Sequence, residues 1–110
     1  MKFCVEKHLK KLKKVFEEDK IFEKKLKTSA FLCLLEILFN ICRKDKKQRK
    51  WFPKEMIKKL KKEKKVLRFL FDKKKSEAKR KKALIKSEPE FQNLVKQILT
   101  HFFENCLISD

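Results

Sequence analysis

Apolar residues return at helical intervals along most of the chain, and the phase of each stripe predicts an element. Val5, Leu9, Leu12 and Phe16 follow the three-and-four spacing of an amphipathic helix, and Phe22 and Leu26 come after them in what reads as one helix over residues 3–27. Asp19 interrupts the stripe, so Glu17-Glu18-Asp19 marks a bend or a restart with Asp19 as cap. Thr28 or Ser29 is placed to cap the next helix, whose body, FLCLLEILFNIC over 31–42, is apolar almost all round. Its polar positions, Ser29, Glu36, Asn40 and Arg43, share one narrow stripe. A helix this apolar needs partners on nearly every side and is expected at the centre of the core.

A basic connector, RKDKKQRK over 43–50, leads to Trp51 and Phe52, which read as staples holding a helix start to the core. Pro53 then suits the first turn of a helix running to about Phe71. Its stripe is Met56, Leu60, Leu67, Leu70 and Phe71, with Ile57 at the edge. Glu63 falls inside that stripe; an unpaired carboxylate in the deep core would cost several kcal/mol, so this position belongs at the rim or the face is only partly buried there. Residues 72–86, DKKKSEAKRKKALIK, have good helix propensity but almost nothing apolar before Ala83-Leu84-Ile85. They read as a second basic connecting segment, helical into solvent or mobile without a partner. Ser87-Glu88-Pro89-Glu90 has the form of a capping box with Pro in the first turn. The last helix carries a broad apolar face of Phe91, Leu94, Val95, Ile98, Leu99, Phe102, Phe103, Cys106 and Leu107.

These elements predict one all-α domain over residues 1–110, a small bundle of four helices, five at most. Composition sharpens this: the chain contains no Gly, and φ > 0 turns that close small β folds would need Asn or Asp instead. The same absence removes glycine-rich phosphate loops and dinucleotide fingerprints. The 110 residues include 11 Phe and are 42% hydrophobic, too apolar for a wholly disordered basic tail.

Charge changes the picture most. The net charge is +18, and residues 43–86 hold 22 basic against 5 acidic residues, net +17. A chain that is merely soluble has little reason to concentrate charge in this way, because self-repulsion opposes compaction. On a helical wheel anchored at Met56, Lys54, Lys58, Lys61, Lys62 and Lys65 lie opposite the apolar stripe, with Phe69 among them. Lys46, Lys47, Arg49 and Lys50 precede this face, and Lys73, Lys74, Lys75, Lys79, Arg80, Lys81 and Lys82 follow it. The partner expected for such a surface is a polyanion, DNA or RNA, bound through counterion release. Four of the 33 basic residues are Arg, which favours mobile point-charge contacts with the backbone over bidentate base reading. Phe69 is the aromatic left to stack on an exposed base.

Two other partner classes fit parts of the pattern. WFPKEMIKKLKKEKKVLRFLF has the form of a basic amphipathic segment that docks an acidic protein or an anionic membrane surface. The wide apolar face of residues 91–107 would serve a protein partner or a second copy of the chain if the bundle left it uncovered. No stretch is long and apolar enough for a membrane span. RKDKKQRK and KKKSEAKRKK are compatible with nuclear import.

The catalytic and metal inventory is thin. Cys4 and His8 share a helical face, and His101 and Cys106 lie near the other end of the chain, a set that would suit zinc if the termini met. His101 and Cys106 diverge on a regular helix, and Cys106 continues an apolar stripe, so no metal or other cofactor is assigned. No converging carboxylate set or oriented nucleophile appears, and the expectation is a non-enzyme. Cys33 and Cys42 are about 13 Å apart along one helix, too far to pair. With no CxxC and no secretory start, a reducing intracellular compartment is expected, the nucleus included.

Overall fold

The computed structural model describes residues 6–42 and 52–105. Six helices span them: α1 Glu6–Glu17, α2 Thr28–Cys42, α3 Lys54–Lys62, α4 Lys64–Phe71, α5 Glu77–Ile85 and α6 Pro89–Asn105. The all-helical expectation holds, but six helices lie among the described residues, because one expected helix divides and one connector folds, while the first helix stops early.

The first of these stops is a local backbone event. Asp19 adopts φ 57°, the left-handed region. The Lys20 amide donates to the Val15 carbonyl at 2.9 Å, and the Asp19 amide to Phe16 at 3.0 Å. This is the Schellman closure of a helix, made with Asp where a glycine-free chain has no Gly to offer. Asp19 therefore ends α1 rather than starting a continuation, and residues 18–27 form turns. Their apolar residues still reach the core: Ile21 and Leu26 are buried without being helical.

α2 is the central element, packed against α1, α3 and α4. Ala30, Phe31, Leu34, Ile37 and Leu38 are completely buried. Thr28 and Ser29 are its first residues instead of its cap. The expected polar stripe is overturned at Asn40, which is fully buried.

The long helix expected over 53–71 is two helices. Glu63, at φ −88° and ψ 44°, ends α3 and precedes α4. The break carries the half-buried Glu63 out of the buried row formed by Ile57, Leu60, Leu67 and Leu70. Residues 72–86 are not a bare connector. The Asp72 carboxylate accepts the Lys74 amide at 2.9 Å, shaping a turn. Ser76 then caps α5 by accepting the Lys79 amide. α5 packs on α4, and Leu84 anchors it in the core.

α6 packs against α3 and α1. The capping box expected at Ser87 does not form: the Ser87 hydroxyl donates 2.6 Å to the Leu84 carbonyl, closing α5 instead. Phe91, Leu94, Val95, Ile98, Leu99 and Phe102 are all buried. The face expected to offer a docking or self-association surface is thus consumed by the core, and the part at Cys106 and Leu107 lies outside the described residues.

Candidate nucleic-acid interface

α3 presents its lysines because its apolar residues point the other way. Ile57 and Leu60 are buried, and Met56 is half-buried. Lys54, Lys58, Lys61 and Lys62 stand on the opposite side, all exposed. Phe52, buried just ahead of Pro53, packs its ring 5.2 Å from that of His101 and ties the helix start to α6. Trp51, its expected companion, lies outside the described residues, as do Lys46, Lys47, Arg49 and Lys50.

Ion pairs join Lys20 to Glu18 and Lys96 to Asp19. Among the described residues, none of Lys54, Lys58, Lys61, Lys62 and Lys65 stands in such a pair. Lys65 is exposed, but the break at Glu63 ends the single wheel on which it was grouped with α3. Phe69 is half-buried on α4, with the Lys75 ammonium 5.5 Å from its ring centroid. Its face is therefore shared with a cation of this chain.

Lys73, Lys74, Lys75, Lys79 and Lys82 are exposed. Arg80 and Lys81 have structural duties. Arg80 donates from Nη1 to the Leu70 carbonyl at 3.2 Å, and Lys81 donates from Nζ to the Leu26 carbonyl. These bonds hold α5 to its neighbours, which removes both residues from the freely mobile charges.

The two flanks of α3 differ. On one, Lys59 and Lys62 share a cleft of about 430 Å³ with Glu63 and Glu90, so positive charge is opposed. On the other, Lys61, Lys64 and Arg68 line an open groove of about 560 Å³ with Leu67, Phe71, Cys42 and Asp72. Lys64 and Arg68 were missing from the sequence-derived face; their spacing of four is the signal that places them together on α4.

Phe71 also lines a second cavity, of about 400 Å³, among Leu32, Leu35, Phe39, Leu70, Lys73 and Arg80, with Glu36 and Asn40. Phe39 and Phe71 meet edge to face, with centroids 5.3 Å apart. Leu32 and Phe39 are the exposed large hydrophobics of the described residues, at 39% and 42% of their surface. Burial raises the Glu36 carboxyl above its ordinary pKa. Neither polar atom of the Asn40 amide has a hydrogen-bond partner. The exposed apolar pair was hidden in the sequence because α2 is apolar all round, and only packing decides which of its residues are left outside.

Among the described residues, no group of three or more His, Cys, Asp or Glu side chains is arranged to hold a metal ion. Cys33 and Cys42 are not bridged to each other, as helical spacing requires. Cys33 takes part in a disulfide. Among the described residues, no helix is long and apolar enough to cross a membrane. No known protein family matches this chain, and no curated protein or solved structure is found to be similar to it.

Proposed function

We propose that this chain is a non-catalytic nucleic-acid-binding protein that holds the phosphate backbone through a lysine-rich surface, with weak sequence selectivity. One observation carries the reading. Lys54, Lys58, Lys61 and Lys62 project together from a helix whose other side is anchored in the core. Lys61 opens onto the groove shared with Lys64 and Arg68, where Asp72 is the one carboxylate among the described residues. Charge of this density on a helix anchored in the core meets a row of phosphates without refolding of the backbone, and each contact releases condensed counterions. Exposed Lys65, Lys73, Lys74, Lys75, Lys79 and Lys82 extend the field on α4, the following turn and α5. The predominance of Lys over Arg favours backbone contact over base-edge recognition.

Titration of the full chain with duplex DNA, single strands and RNA across a salt series tests this. Affinity should fall steeply with salt, the log–log slope reporting about 0.9 per duplex phosphate neutralised. Replacing Lys58, Lys61, Lys62 and Lys65 together with Gln should preserve helix content and reduce low-salt affinity by about tenfold or more. Tight binding to one acidic protein or to anionic vesicles, with no binding to any polynucleotide, would overturn the reading in favour of an interaction module.

A further inference from the structure

We propose that the cleft between α3 and α6 takes the Watson–Crick edge of an unpaired guanine, so that the protein prefers guanine-containing single strands to those without guanine. The proposal rests on the nucleic-acid reading above and adds to it a base that the phosphate-binding lysines do not read.

Two polar rows, each set by helical spacing, line the cleft. Lys59 and Lys62 stand in the last turn of α3, and Glu63, four residues after Lys59, caps it. Glu90, Asn93, Leu94 and Gln97 follow the three-and-four spacing of one face of α6. The two helices pack together, and these residues line a cleft of about 430 Å³, within the range of about 300–1,000 Å³ usual for small-ligand sites. Lys59, Lys62, Glu90, Asn93 and Gln97 are exposed and Glu63 is half-buried, so a ligand reaches them without displacing a core residue. The charges are matched but not joined. Among the described residues, neither Glu63 nor Glu90 stands in an ion pair, although both share the cleft with two lysines. Donors and acceptors are therefore left for a third group.

The lining selects that group. A phosphate in the cleft meets two carboxylates, and a divalent cation meets two ammonium groups. An apolar group finds Leu94 alone among the described lining residues, and Leu94 is buried. What fits is a neutral ligand with an acceptor beside adjacent donors. Guanine has this edge: its N1–H and N2–H groups donate side by side to one carboxylate, and its O6 accepts from a lysine ammonium. Thymine offers a single N–H between two carbonyls. Adenine and cytosine set a ring-nitrogen lone pair beside the amino group, where a carboxylate oxygen opposes it. In a duplex the guanine edge is already paired, so the cleft reads unpaired strands. Lys62 connects the two parts of the surface, because it lines the cleft and is exposed beside Lys54, Lys58 and Lys61. A strand whose phosphates follow those lysines turns a base inward at Lys62. One base read on a strand held by its backbone gives a preference in composition rather than a recognition sequence.

The test compares three single-stranded probes of equal length with the full chain at one low salt concentration. They are an oligothymidylate, the same strand with isolated guanines, and that strand with inosine at each guanine. The guanine strand should bind about tenfold more tightly than the oligothymidylate, the effect of hydrogen bonds to a charged group. Inosine lacks only the N2 amino group and should lose most of that advantage, although its ring stacks like guanine. Glu63→Gln combined with Glu90→Gln should erase the guanine advantage. The same variant should bind oligothymidylate as well as the parent or better, because two repelling charges are gone; a damaged fold would weaken both. Equal binding of guanine and thymidine strands would overturn the proposal and leave the lysine surface standing. A guanine preference that survives inosine or the double variant would overturn it in favour of stacking. Failure of every strand to bind would overturn both readings.

Discussion

Asn40 and Glu36 are the residues at which this chain departs from the ordinary rules of a core. Asn40 has no exposed surface and no hydrogen bond from its amide. Replacing it with Leu, of similar volume, removes the unmatched polar group and should stabilise the fold by about 1–3 kcal/mol, read as a shift in the denaturant midpoint. A destabilised Asn40→Leu would show that the amide has a partner in solution. Glu36 tests the same region through pH. Burial raises its carboxyl pKa, so the folded state holds the proton more tightly than the unfolded chain. Its contribution to stability is therefore fully present below the ordinary carboxylate range and is lost as pH rises through the elevated value. Among the described residues, Lys73 and Arg80 are the cations lining the same cavity, and desolvation by burial is what raises the pKa. Glu36→Gln should melt at a higher temperature than the parent at neutral pH. That advantage should disappear below the carboxylate range, because the parent residue is then neutral as well. A pH-independent difference would point to packing instead of ionisation.

At the scale of elements, the turn at Asp19 decides where α1 ends and how Ile21 and Leu26 reach the core. Two substitutions separate the backbone from the side chain. Asp19→Ala and Asp19→Gly both lose the 2.9 Å pair with Lys96, but only Gly adopts the left-handed φ without a steric penalty. The Gly variant should exceed the Ala variant by roughly 1 kcal/mol in thermal or chemical denaturation. Equal stability would place the turn's cost elsewhere. Asp19 also shows how far elements are legible in a sequence. The interruption of the stripe there was visible, and a chain without Gly was bound to use Asp or Asn for a left-handed turn. That Asp19 closes a helix, and does not open one, depends on the hydrogen bonds of Lys20 and Asp19 themselves. Glu63 is the parallel case: its polar side chain marked a fault in an apolar row, and the fold resolves the fault by ending α3 there. The lysines of α3 were legible because they oppose a simple apolar stripe. Phe39 and Leu32 were not, since an all-round apolar helix carries no phase from which to read the exposed side.

For the whole molecule, the dominant fact is a net charge of +18 on 110 residues. The fold measures 31 × 29 × 25 Å. At about 0.01 M salt the screening length is about 30 Å, so every positive charge feels every other across the full molecule. Near 0.15 M it falls to about 8 Å, and repulsion is confined to neighbours. Raising salt over this range should therefore stabilise the folded protein, with a melting rise on the order of 5 °C for each kcal/mol of repulsion relieved. The same salt should weaken polynucleotide binding, because counterion release contributes less. Opposite responses of stability and affinity to one variable are the mark of a surface charged for a partner rather than balanced within itself. A polyanion at low salt should substitute for the added ions and raise the melting temperature with the logarithm of its concentration over Kd. The measurement is a melting series against salt, with and without a single-stranded oligonucleotide. A melting temperature that ignores salt would mean that the lysines are already neutralised within the chain. A rise produced by salt but not by the oligonucleotide would mean that the charge has some other partner.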